Sequence, residues 1–124
     1  MQTIIITATN QLWEAAQKAG TYTQSTVEET LSEAGFIHAT NPDQTVDMLN
    51  RRYRNHDNII LLFVELAKVK SAVKFEASSG GKTPGLFPHI YGPLNIDAVY
   101  DTTIPVKDAL GEFAEDVRLA ELVA

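Results

Sequence analysis

Ile59-Ile60-Leu61-Leu62-Phe63-Val64-Glu65-Leu66 is a run of eight residues with a single charge. A short apolar run rich in β-branched and aromatic residues reads as a buried strand, and this is the strongest strand signal in the chain. It is therefore expected at the centre of a sheet. Upstream, Thr3 to Thr7 is β-branched throughout and reads as a second buried strand. Phe36 to Ala39 reads as a short strand. Downstream, Val73 to Glu76 alternates apolar and charged residues, His89 to Tyr91 is brief and extended, and Ile96 to Tyr100 is another strand.

Helices are expected between these strands. The first is capped by Asn10 and runs through Leu12, Trp13, Ala16 and Ala19, with a Glu14–Lys18 pair, and Gly20 stops it. Thr26 to Ala34 carries Glu28 and Glu29 in its first turn, where negative charge suits the helix dipole. A third helix starts at Asn41-Pro42 and continues to about Arg54, with Val46, Leu49 and Tyr53 on one face. An acidic amphipathic helix over Val106 to about Val123, with a break near Gly111, closes the chain. Ala77 to Leu86, with three glycines, two serines and a proline, reads as a mobile loop. The order lacks regular strand–helix–strand spacing. It predicts an α+β fold, with a mixed, largely antiparallel sheet and flanking helices.

The length of 124 residues suits one domain, 1–124, with its own core. There is no cysteine, which excludes disulfides, thiolate nucleophiles and cysteine-ligated zinc. The first residues show neither a basic leader nor an apolar run long enough for a membrane span, so a cytoplasmic protein without a membrane partner is expected. A net charge of -6 argues against a nucleic-acid partner. Positive charge gathers between Arg51 and Lys82, where seven Lys and Arg face three acids. That region suits a small anion such as a phosphate, or is simply a solvated surface. Arg52 is the expected phosphate partner. Arg51 can pair with Asp47 four residues earlier, Arg54 can meet the end of its helix, and a guanidinium fork matches phosphate geometry.

Two segments carry candidate chemistry. In Gly35-Phe36-Ile37-His38-Ala39-Thr40, strand alternation points Ile37 into the core and opens His38 to a cleft. In Leu86-Phe87-Pro88-His89-Ile90-Tyr91-Gly92-Pro93-Leu94, His89 and Tyr91 share a face, and two prolines stiffen the frame. The alternative for each is a ring whose polar atoms are satisfied within the fold. Glu76, at the end of a strand, has the chemistry of a base or of a partner for a sugar hydroxyl. Gly81-Lys82-Thr83 resembles a nucleotide-binding loop but lacks the earlier glycine, since Glu76 stands there. His38, His56 and His89 have no close metal-ligand spacing, and no metal site is expected.

Taken together, Gly35 to Thr40, the strand ending in Glu76, and Phe87 to Leu94 followed by Asp97-Ala98-Val99 resemble the bacterial family numbered 952 among domains of unknown function. The resemblance spans Thr3 to about Pro105 and leaves 106–124 as an acidic helical extension. Thr40 stands where the family suggests serine. The resemblance implies a fold similar to that of ADP-ribosyltransferases, which cleave the glycosidic bond of NAD, and hence a half-open cleft between two small sheets. It implies that His38, assisted by Thr40, holds a ribose hydroxyl. His89 joins them as a ligand-binding residue. Tyr91 as a stacking ring and Glu76 as the catalytic carboxylate are candidates by chemistry alone. The expected ligand is NAD or a related ribose phosphate. A non-catalytic small-molecule module is the alternative, and an interaction domain docking through its last helix is another.

Overall fold

The computed structural model describes residues 1–78 and 83–123. The described elements run β1 (Thr3–Thr9), α1 (Asn10–Ala19), β2 (Thr21–Tyr22), α2 (Leu31–Ala34), β3 (Ile37–His38), a 3-10 turn (Pro42–Gln44), α3 (Thr45–Arg52), β4 (Ile59–Glu65), β5 (Ala72–Ala77), β6 (Leu86–Tyr91), β7 (Leu94–Asn95), β8 (Val99–Thr103) and α4 (Val117–Val123). Three antiparallel sheets result, ordered β1-β4-β8, β2-β7 and β3-β6-β5. The fold is α+β, as expected, and β4 is the middle strand of its sheet. No helix among the described residues is long and apolar enough to cross a membrane.

The unbroken apolar runs of β1 and β4 follow from burial on both faces. Ile4, Ile6, Ala8, Ile60, Leu62 and Val64 pack toward α1, Ile37 and Ile90. Ile5, Ile59, Leu61 and Phe63 pack on the opposite face against Leu49 and Tyr53 at α3 and against Phe113 and Leu119 near the C-terminus. Each such side chain contributes roughly 1.5–3 kcal/mol by leaving water, so this sheet is the main source of stability. Tyr53 belongs to this core, as its helical spacing predicts.

Besides the core they share through Ile37 and Ile90, the two larger sheets are joined by main-chain hydrogen bonds. Past β3 the chain bends, and Thr40 forms an isolated bridge with Ile5 on β1. Both amides are used, Ile5 N–H to Thr40 O and Thr40 N–H to Ile5 O, each at 2.8 Å. Pro88 sits in β6, the middle strand of its sheet, where proline is normally excluded for want of an N–H. Its carbonyl accepts from Ala39 N–H at 3.1 Å, so its N–H-less edge faces β3 just where that strand peels away. Proline is tolerated because no ladder continues there, and the parting of the strands opens a cleft.

Several expected helices are shorter than their sequence patterns suggest. Thr9, not Asn10, caps α1 by accepting from Leu12 N–H. Thr26 to Glu29 is a turn rather than helix, because the Thr26 hydroxyl accepts from the amides of Glu28 and Glu29 and so offers the backbone a local alternative. Helix starts only after Thr30, which forms a capping box with Glu33. The expected strand over Ile96 to Tyr100 is displaced, since Ile96–Ala98 is a 3-10 turn and β8 begins at Val99. The largest correction is at the C-terminus, where only Val117–Val123 of the expected 106–124 extension is helical among the described residues. Gly111 adopts a left-handed φ of 81°, Asp108 accepts from the amides of Leu110 and Glu112, and Lys107 bridges Phe113, which together make a turn. Of the loop expected over Ala77 to Leu86, Ala77 and Leu86 belong to β5 and β6, and 79–82, with Gly81 and Lys82 of the Gly81-Lys82-Thr83 triplet, lie outside the described residues.

Candidate functional site

The cleft lies between β1, β3, β6 and α3. Ile37 and Ile90 are cross-strand partners and both are fully buried, so their neighbours His38 and His89, also partners, are forced onto the opposite face. Their ring centroids are 5.7 Å apart, and both residues line the cleft. Alternation around Ile37 and Ile90 thus brings both imidazoles to one concavity. Phe36 stacks on His89 at 4.1 Å between centroids and leans on His38 at 4.6 Å, so an apolar ring covers the pair.

Each histidine is tied by its Nδ1. Ser25 is buried, and its hydroxyl donates to the carbonyl of Phe36. Its one proton is spent there, so in the 2.8 Å contact with His38 the imidazole Nδ1–H is the donor and Ser25 Oγ the acceptor. Burial first, then the charges of His89 and Arg52, lower the His38 pKa to about 4, and the ring is neutral at physiological pH. Its Nε2 is left as a bare acceptor. His89 is 4 % exposed, and its Nδ1 lies 2.9 Å from Glu76 Oε1. The same oxygen accepts the Tyr91 hydroxyl. The hydrogen bonds from Tyr91 and His89 hold the Glu76 carboxyl below its ordinary range, so it is ionised and accepts from Nδ1–H. His89 Nε2 is the ring nitrogen that remains for the cleft.

Glu76 and Tyr91 are thus brought to His89, but neither lines the cleft. Lys74 lies 5.0 Å over the Tyr91 ring and covers the outer side of this network. Thr40 does reach the cleft wall, yet its hydroxyl bonds that of Thr45 at 2.9 Å and it is almost fully buried. Arg51 pairs with Asp47, as their spacing predicts, and donates to Thr83 Oγ1 at 2.9 Å. Arg54 reaches Glu112 at 3.7 Å. Arg52 is exposed on the rim of the cleft and has no carboxylate partner among the described residues. His56 is elsewhere, 3.4 Å from Glu28. The lining contains no carboxylate among the described residues, and they hold no cluster of three His, Asp or Glu arranged for a metal ion. Sequence reasoning missed Ser25, which no local pattern marks, and Phe36 as the cover of the histidine pair.

Against known proteins, the family described as "Protein of unknown function (DUF952)" matches residues 7–102. The chain is similar to the crystal structure of protein CC0527 from Caulobacter crescentus, with 30% identity over 95% of this chain and 98% of that one and a TM-score of 0.80. It is also similar to the solution structure of CC0527, with 31% identity over 90% of this chain and 91% of that one and a TM-score of 0.73. No curated protein matches.

Proposed function

This chain belongs to the DUF952 family of unknown function, and from that premise we propose that it is a cytoplasmic small-molecule-binding domain whose cleft takes NAD or a related ribose phosphate. The reading rests on one observation. Two imidazoles on neighbouring strands line the same cleft, each anchored through Nδ1, which leaves Nε2 as the ring nitrogen for a ligand. Neutral His38 can only accept there, which suits a donor such as a ribose hydroxyl and does not suit a phosphate. The phosphate goes instead to Arg52, whose guanidinium fork stands on the same rim. Hydroxyls and a phosphate in one molecule describe a ribose phosphate. In the manner of ADP-ribosyltransferases, His38 then holds the ribose, with Thr40 shaping the wall beside it.

The same geometry favours binding over ADP-ribosyl transfer. Cleavage of a glycosidic bond calls for negative charge beside the reacting ribose carbon. Glu76 supplies none directly, because it stands behind His89, and the cleft lining carries no carboxylate among the described residues. Glu76 and Tyr91 act here as positioning residues that fix the His89 ring.

The test is calorimetry with NAD, ADP-ribose and ribose 5-phosphate on wild type and Arg52→Ala. The substitution removes an exposed side chain and should change stability by no more than about 0.5 kcal/mol. It should weaken a phosphate-bearing ligand by roughly 1.5–3 kcal/mol through loss of a charge-assisted hydrogen bond. Absence of binding by all three ligands at millimolar concentration refutes the reading, and so does equal affinity in the two proteins.

A further inference from the structure

Four buried side-chain polar atoms lack a hydrogen-bond partner among the described residues: Thr7 Oγ1, Thr21 Oγ1, Tyr22 OH and His56 Nδ1. Of these residues only Thr7 lines the cleft. Its side chain extends from β1 on the face of Ile5, and the residue is 8 % exposed. Comparable hydroxyls nearby are satisfied. Thr3 bonds the Tyr100 hydroxyl at 2.8 Å, and Thr40 bonds Thr45. Thr7 stands just beyond the Ile5–Thr40 bridge, where β1 loses its neighbour and the cleft begins. Around it the cleft is lined by the apolar side chains of Ile5, Ala39, Met48 and Phe87 and by the ring of Tyr53, beside the polar Ser25, His38, Thr40 and His89, whose hydroxyls and ring Nδ1 atoms already have partners.

A buried hydroxyl without a partner is destabilising, and valine has nearly the same shape without that penalty. Folding alone therefore gives no reason for threonine here. The surroundings narrow what the hydroxyl is for. Aromatic rings and a thioether suit a flat, weakly polar body, and one unpartnered buried hydroxyl beside them suits a single hydrogen-bonding edge.

We propose that Thr7 is a ligand-binding residue, whose hydroxyl bonds the polar edge of a planar heterocyclic ring, nucleobase-like in chemistry, seated in the cleft. The inference uses the same cleft as the ribose phosphate reading but depends on neither the ribose nor the phosphate.

The experiment compares wild type, Thr7→Val and Thr7→Ser. Free Thr7→Val should melt higher, by roughly 3–6 °C, because the unsatisfied hydroxyl is gone. A lower melting temperature would show that the hydroxyl is already satisfied in the free protein and would overturn the proposal. Amide NMR titrations then use two ring probes without ribose, adenine and benzamide, beside ribose 5-phosphate. At least one ring probe should shift the amides of Ile5, Thr7 and Ala39. Thr7→Val should weaken that probe fivefold or more, Thr7→Ser should retain most of the affinity, and ribose 5-phosphate should change less than twofold. Ring probes that leave these amides unmoved, or that bind Thr7→Val as tightly as wild type, overturn the assignment. Ring binding without binding of NAD, ADP-ribose or ribose 5-phosphate would remove the ribose phosphate reading and leave this one standing, and ribose 5-phosphate binding without ring binding would do the reverse.

Discussion

Mild acid is the perturbation that most directly tests how His38 is held. Its imidazole is neutral in the folded protein because burial, with the charges of His89 and Arg52, lowers its pKa from 6.5 to about 4. In the unfolded chain the ring is hydrated and takes a proton near 6.5. Between these values the unfolded state binds more protons than the folded state, so stability falls as pH falls. The contribution is fully present above pH 6.5 and is lost progressively toward pH 4. Linkage between those two values gives about 2 kcal/mol at pH 5. Part of the ring meets solvent in the cleft, which screens the effect, and the loss between pH 7 and pH 5 should be about 1–2 kcal/mol. Urea unfolding of wild type and His38→Gln at the two pH values isolates this term, because glutamine does not titrate and the remaining groups are shared. Wild type should lose about 1–2 kcal/mol more than the variant, with unchanged m-values. Equal losses in the two proteins would show that burial does not hold His38 neutral, and the acceptor role of its Nε2 would fall with it.

Two further outcomes follow from the hydrogen bonds. Glu76→Gln should release the His89 tautomer, so that nitrogen-15 spectra of the ring change from one dominated by Nδ1–H to a mixture; an unchanged spectrum would mean that the carboxylate does not fix the ring. Asn50→Ala removes a side chain that accepts from Phe113 N–H at 2.6 Å and donates to Phe113 O at 3.2 Å. It should destabilise the protein by about 1–2 kcal/mol and speed hydrogen exchange at Phe113, and protection equal to wild type would refute this anchoring role.

What could be read from the sequence depended on how local its cause is. β1 and β4 were legible because burial on both faces leaves an unbroken apolar run, and α1 because its stripe and its Gly20 stop are local, although its N-cap is Thr9 rather than Asn10. The shared face of His38 and His89 was legible from alternation around Ile37 and Ile90, although their cross-strand pairing was not. The C-terminal helix was overextended because apolar spacing continues through a segment where Asp108 and Gly111 impose a turn. Ser25, Thr7 and Asn50 left no local sign. Each acquires its role from a partner, or from the want of one, that only tertiary structure supplies. Glu76 was marked as a reactive carboxylate, and its place behind His89 depends on β5–β6 register, which no single strand encodes.

The Ile5–Thr40 rung is a reciprocal pair of main-chain hydrogen bonds between the two larger sheets. Behind it, Ile4 and Ile6 of one sheet share a buried core with Ile37 and Ile90 of the other. The walls of the cleft are therefore fastened twice, by backbone at the seam and by apolar packing behind it. A ligand that fits between His38, His89 and Thr7 meets a surface already in place, and its binding is spared the entropy cost of ordering those walls.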